Sequence, residues 1–307
     1  MNVVITGGAG FLGSRLAREL LAAGSLGVAG GQPRPLSRMT LVDQAPVPPD
    51  LAADERVTAV RGDLAGLLDP AAGGPDMLAM WGIGDEAEVI FHLAAAVSAE
   101  CETDFDLGIR ANLRATEALL ASCRALGTSP VVVFSSSLAV FGGSAELPLP
   151  EVVDDQTRPN PQTSYGAQKA IGEQLLADYT RKGFLRGRAL RLASISVRPG
   201  RPNAAASGFM SGIIREPLAG QRATCPVDPD TEVALASPAN AMAGLRCAAT
   251  ASDQAWGGRS AVNLPALTAS LADMAAALTR VAGPEVSALI DWVPDPEIAR
   301  IVATWPA

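Results

Sequence analysis

Tyr165 and Lys169 stand four residues apart in PNPQTSYGAQK, residues 159–169, a spacing that puts both on one helix face, one turn apart. The chain has only two tyrosines, and its basic residues are otherwise arginine apart from Lys182, so this pairing is not a product of abundance. A free phenol with a pKa of about 10 holds its proton at neutral pH. A neighbouring lysine ammonium, aided by a cationic cofactor ring, favours the phenolate. The pair therefore suits a reaction in which an alcohol loses a hydride and its hydroxyl proton. Upstream, the apolar run Val131 to Phe134 leads into Ser135-Ser136-Ser137. A hydroxyl there would hold the substrate oxygen beside Tyr165.

These groups need elements to position them. Residues 2–13, NVVITGGAGFLG, read as a short strand, a turn with Gly7, Gly10 and Gly13 at G-x-x-G-x-x-G spacing, and the start of a helix running to Ala23. A strand, glycine turn and helix in that order form a dinucleotide entrance, with Phe11 and Leu12 inside the turn and helix N–H groups facing a pyrophosphate. Met39 to Val42 reads as the second strand. Asp43 at its end would accept both hydroxyls of an adenosine ribose and repel a 2′-phosphate, which favours NAD over NADP. The distance from the glycines exceeds the usual ~20 residues; residues 24–37, rich in Gly and Pro, read as a surface loop inserted between.

A third strand, Val57 to Val60, precedes Gly62-Asp63-Leu64, where Asp63 by itself reads as a helix N-cap. A fourth, Val89 to Leu93, ends in Ala94-Ala95-Ala96, side chains small enough for a cofactor to lie on the backbone. His92 reads as a structural residue. Ile109 to Leu126 reads as a helix with Asn112 inside it, a residue that needs a reason there. Arg188 to Val197 reads as a sixth strand, Val233 to Ala236 and Ala261 to Leu264 as later ones, and Leu271 to Val281 as an amphipathic helix. Strands alternating with helices predict an α/β fold, a Rossmann-type doubly wound parallel sheet with a smaller, interleaved C-terminal part. The expected division gives 1–198 to cofactor binding, with 233–265 returning to it, and 199–232 and 266–307 to the substrate.

The 307 residues carry a net charge of −8, which argues against a nucleic-acid partner or an anionic membrane surface. No apolar run reaches the ~18 residues of a membrane span, and the immediate strand leaves no room for a signal peptide. Cys101, Cys123, Cys225 and Cys247 lack C-x-x-C spacing and read as reduced thiols of a cytoplasmic protein. With His92 the single histidine, sites needing two are excluded, and no metal is expected.

The wording TGGAGFLG, the serine strand and Y-x-x-x-K together resemble the extended short-chain dehydrogenase/reductase superfamily over essentially the whole chain. That resemblance implies that Ser137, with Ser136 as the second choice, forms the catalytic set with Tyr165 and Lys169, that Asn112 braces it, and that Asp63 and Leu64 meet the adenine side. It also implies that Leu93, Ala94, Ala95 and Ser135 lie along the cofactor, and that the helices holding Asn112 and Tyr165 form a homodimer. Three stretches, among them SISVRPGRPNAAASGFMSGIIREPLAG, are similar to the D-erythronate dehydrogenase family, which implies NAD-dependent oxidation of a sugar-acid C2 hydroxyl. A sugar acid needs a cation for its carboxylate, and Arg198, Arg201 and Arg215 are the candidates. Phe141 stands where many relatives carry Tyr, and a further helix is expected after Trp305-Pro306. Two rival readings stay open. A nucleotide-sugar epimerase or dehydratase would share Tyr165 and Lys169, although Leu138 and Ala139 replace the acidic pair of a dehydratase. A non-catalytic NAD-binding regulator would have no use for the three groups.

Overall fold

The structure, a computed structural model, describes residues 1–64, 87–144, 146–200 and 206–302. Arg201 and the segment around Trp305 lie outside the described residues. Seven strands form the main sheet: β1 (Asn2–Thr6), β2 (Arg38–Asp43), β3 (Val57–Arg61), β4 (Ala87–His92), β5 (Val131–Ser137), β6 (Arg186–Leu192) and β7 (Ala261–Asn263). All pair in parallel, in the order 3-2-1-4-5-6-7. That order reverses between β1 and β4, and a crevice opens outside the carboxyl ends of the strands there.

Burial explains the near-continuous apolar strands. Both sheet faces are covered, so alternate residues enter different cores. Val3, Ile5, Val131 and Val133 join Leu16 and Leu20 of the first helix, Phe11–Ala23, and Leu245 of the helix Pro238–Thr250. Val4, Val132 and Phe134 face the other way, onto Leu119 and Leu120 of the helix Ala115–Leu126 and Leu176 of the helix Ser164–Arg181. A third core gathers Met210, Ile213, Val233, Leu271, Leu278 and Ile290.

Several elements differ from their expected form. The loop 24–37 contains a two-stranded pairing of Ser25–Leu26 with Arg34–Pro35, and Ala29 and Gly30 donate to the carbonyls of Ala249 and Thr250. Buried Leu26 and Leu36 hold it down, which its Gly and Pro content did not reveal. The expected strand 188–197 divides at Ala193. Ser194–Ile195 leaves the main sheet and pairs with Glu232–Ala236, which also pairs antiparallel with Leu267–Ser270. The helix expected from Ile109 begins earlier, at Phe105, and residues Ile109–Arg114 are a π-helix before the α-helix resumes. Such bulges are rare and concentrate at functional sites; this one contains Asn112.

Candidate active site

One continuous cavity of about 620 Å³ runs along the strand ends, from the glycine turn to Tyr165 and Arg198. Gly7, Gly10, Phe11, Leu12 and Gly13 line one end. The turn is tight for steric reasons. Gly7 has a φ of +73°, and a Cβ on Gly13 would lie 2.0 Å from the Gly7 carbonyl oxygen. Gly10 caps the helix without a side-chain acceptor, and no acidic residue occupies the first turn. The helix N-terminus therefore presents its N–H groups and positive dipole end to the cavity.

Asp43 lines the same end. Its carboxylate accepts from the backbone N–H of Ala9 at 2.9 Å and of Ala45 at 3.0 Å. The first of these bonds fixes the carboxylate against the glycine turn and leaves further lone pairs for a diol. Asp63 and Leu64 line the cavity beside it, as do Leu93, Ala94 and Ala95 beyond the end of β4.

The three serines divide their work by strand alternation. Ser135 donates to the His92 carbonyl of the neighbouring strand at 3.0 Å. Ser136 points to the helix side and donates to Glu173 at 2.5 Å. Ser137 accepts from the Ala139 N–H at 3.1 Å and lies within hydrogen-bonding reach of Tyr165. The Ser136 hydroxyl is thus already donated to Glu173.

The helix Ser164–Arg181 is capped by the Thr163 hydroxyl, which accepts from Gly166 N–H at 3.1 Å. Two glycines let it come close: a Cβ on Gly166 would lie 2.1 Å from the Ala139 carbonyl oxygen, and one on Gly172 would lie 2.8 Å from the Phe134 ring. The approach sets Lys169 Nζ 4.8 Å from the Phe134 ring centre and 5.6 Å from that of Tyr165. Burial dominates the electrostatics. It pushes Tyr165 up to about 12, with Cys101 acting in the same direction and Ser137 and Arg198 opposing. Burial pushes Lys169 down to about 8, against the pull of Cys101 and Glu173. The expected lowering of the phenol by its lysine is therefore not what the protein alone displays. Arg198 opposes that rise, and the Lys169 ammonium stands over the Tyr165 ring.

Asn112 is buried and spans two elements. Its Oδ1 accepts from Ala96 N–H at 2.8 Å, while Nδ2 donates to Ala96 O at 3.1 Å and Gln168 Oε1 at 2.7 Å. It fastens the loop after β4 to the Tyr165 helix. His92 plays the structural part expected of it. Thr116 donates to Asn112 O, so it accepts from His92 Nε2, and Nδ1 faces the Thr6 hydroxyl at 2.7 Å. Burial, with Lys169 nearby, lowers His92 to about 3, so it stays neutral.

Arg198 lines the cavity. Its Nε donates to Ile195 O at 3.1 Å and its Nη2 to Ser207 at 3.1 Å, leaving other N–H groups of the guanidinium for a ligand. Arg215 stands behind it: Nη1 donates to the Arg198 carbonyl at 2.6 Å and Nη2 bonds Glu216. Arg215 is not among the described lining residues, so the structure places it as a support for Arg198.

The NAD dependent epimerase/dehydratase family model matches residues 3–233. The chain belongs to this family. It is 52% identical over its whole length to a D-erythronate dehydrogenase of Cupriavidus necator, covering 90% of that protein. It is 40% identical to a D-erythronate dehydrogenase of Haemophilus influenzae, again across the whole chain and 90% of the relative. The crystal structure of a protein named nucleoside-diphosphate-sugar epimerase, from Agrobacterium tumefaciens, superposes with a TM-score of 0.86 at 41% identity, covering 99% of this chain and 85% of that one. This family member is an NAD-dependent oxidoreductase. The glycine cradle and the helix N-terminus fit a dinucleotide on steric and electrostatic grounds independent of that assignment.

Reading the sequence missed Gln168, Glu173, Arg191 and Cys101, all buried around the Tyr165 helix. A weak signal existed for two of them. Glu173 lies one helical turn beyond Lys169, and Arg191 interrupts an otherwise apolar stretch of β6. No spacing joins Cys101 to this cluster; only the fold does.

Proposed function

We propose that this enzyme oxidises the C2 hydroxyl of D-erythronate to 2-oxo-D-erythronate, with NAD as oxidant. The names of its two full-length relatives support the substrate. The observation that carries the chemistry is that Arg198, held by Ile195 and Ser207 with further guanidinium N–H groups left for a ligand, lines the same cavity as Ser137 and Tyr165. In a 2-hydroxy acid the carbon to be oxidised adjoins the carboxylate, so a base for that hydroxyl needs a cation close beside it. Arg198 would hold the carboxylate, and Ser137 and Tyr165 would bind the hydroxyl.

In this reading Tyr165, as phenolate, takes the hydroxyl proton while the C2 hydride leaves. Bound NAD supplies the hydride acceptor. Ser137 and Arg198 stabilise the phenolate against the burial that opposes it. Lys169 carries donors for the nicotinamide-side ribose and keeps positive charge near the phenol. Gly7, Gly10 and Gly13 would hold the pyrophosphate, Asp43 the adenosine ribose, and Asp63 and Leu64 the adenine side. Leu93, Ala94, Ala95 and Ser135 would flank the remainder. Arg201 stays a second candidate for the sugar acid. Residues 199–232 and 266–307 would form the substrate side, and the chain would act as a cytoplasmic homodimer through the helices around Asn112 and Tyr165.

The second reading, a nucleotide-sugar epimerase, is favoured by the likeness to the Agrobacterium protein, which bears that name. The test is the formation of reduced nicotinamide with D-erythronate, L-threonate, other aldonates and UDP-glucose, each with NAD and with NADP. We expect turnover with D-erythronate and NAD. Silence with every sugar acid, alongside epimerisation of UDP-glucose, would replace the first reading by the second.

A further inference from the structure

Glu173 is fully buried on the helix Ser164–Arg181, one turn beyond Lys169. Its Oε1 accepts from Ser136 at 2.5 Å and from Arg191 Nε at 2.8 Å, and its Oε2 accepts from Arg191 Nη2 at 2.8 Å. Ser136 and Arg191 are register partners on β5 and β6. Arg191 also lies over the Phe141 ring, 4.7 Å from its centre. One carboxylate thus joins two strands and a helix. Ser136 is the immediate neighbour of Ser137, and the strand's alternation sends the first hydroxyl into this network and the second into the cavity.

We propose that the Ser136–Glu173–Arg191 unit positions the catalytic groups: it fixes the strand end carrying Ser137 to the helix carrying Tyr165 and Lys169, and sets the Glu173 carboxylate, paired with Arg191, one helical turn beyond the lysine. The inference rests on the Ser137–Tyr165–Lys169 reading above. A purely packing role does not call for charge, since apolar residues of similar volume replace buried ion pairs at little or no cost in stability. A role near an ammonium does. Among the described residues, the groups facing Lys169 are Tyr165 and Glu173 on its own helix, Cys101 from the helix Ser98–Thr103, His92 from β4 and the Phe134 ring from β5. Among them His92 stays neutral and burial holds Cys101 up at about 11, and Glu173 favours the charged form of Lys169. With the whole unit made apolar, Lys169 loses its proton at lower pH.

The test compares Ser136→Ala, Ser136→Thr and the double variant Glu173→Leu/Arg191→Met with the unaltered enzyme. The measurements are NAD affinity, thermal unfolding, and kcat and KM across pH. Ser136→Ala is expected to lower kcat about tenfold or more, as loss of alignment does, with KM and NAD affinity within twofold; Ser136→Thr, which keeps the hydroxyl, restores it. The double variant is expected to fold and bind NAD, with the alkaline limb of kcat moved down by about one pH unit or more. A folded double variant with kcat within twofold and an unmoved alkaline limb overturns the proposal. Should the double variant not fold, Ser136→Ala decides: wild-type kcat overturns it. Tyr165→Phe runs alongside. If that variant stays active, the catalytic reading itself fails; if it is dead while the other variants behave as wild type, only this inference fails.

Discussion

Tyr165 is a phenol made harder to ionise by burial and easier to ionise by two partners, Ser137 and Arg198. Which influence wins during turnover depends on what enters the cavity, because interactions between charges strengthen once water is displaced. At this scale two substitutions separate base from anchor. Tyr165→Phe is expected to cut kcat by about 100-fold or more, the usual worth of a general base, while the NAD dissociation constant stays within twofold. Arg198→Met is expected to raise KM for the sugar acid about tenfold or more, the loss of charge-assisted hydrogen bonds, again without effect on NAD. Steady-state kinetics and NAD titration of the two purified variants read both. Retained turnover in Tyr165→Phe removes it as the base, and an unchanged KM in Arg198→Met removes the carboxylate anchor.

Among the elements, close approach does most of the positioning. The first helix meets its strand across Gly7 and Gly13, and the Tyr165 helix meets the β5 end across Gly166 and Gly172. No side chain fits at these crossings. Gly13→Ala would place its Cβ against the Gly7 carbonyl and force the turn apart. The expected cost is about 1–3 kcal/mol of stability, the range for overpacking, together with a smaller rise in melting temperature on adding NAD. Thermal unfolding with and without NAD measures both; an unchanged melting temperature with a full NAD-dependent rise would show that the turn opens without penalty. The π-helix at Asn112 is the second positioning device. It carries Asn112 to the point where one amide serves both the Ala96 backbone and Gln168.

Across the whole molecule, the parallel sheet supplies the rigid floor and the smaller sheet supplies the other wall. Ser194–Ile195 leads straight from the end of β6 to that second sheet, so Arg198 arrives opposite the strand ends rather than along them. Phe105 and Ile171 remain 59% and 44% exposed on the helices Phe105–Gly108 and Ser164–Arg181, which lie against each other. Apolar exposure of this kind fits the proposed homodimer face. Light scattering after gel filtration is expected to give twice the chain mass, and Phe105→Asp/Ile171→Asp is expected to give a monomer with unfolding temperature little changed. A monomeric unaltered enzyme would sink the dimer. Among the described residues, no helix is long and apolar enough to cross a membrane.

The local signals were legible because they are local. A glycine turn, a run of buried strand residues and two side chains one helical turn apart are each set within about a dozen residues, where sterics and periodicity act directly. They pointed to Gly7, Asp43, Tyr165 and Lys169, and the family resemblance added Ser137; all five line the cavity at the carboxyl ends of the strands. What depended on contacts between distant segments was not legible. The departure of the chain at Ala193, the pinning of the 24–37 loop by Leu26 and Leu36, and the seating of Arg215 behind Arg198 all arise from contacts beyond any local pattern. So does the burial that sets the charge of Tyr165 and Lys169. The types and order of the chemical groups are written in the chain. Their exposure, their partners and their ionisation are properties of the packed interior, because desolvation and long-range contact exist only once the chain has folded.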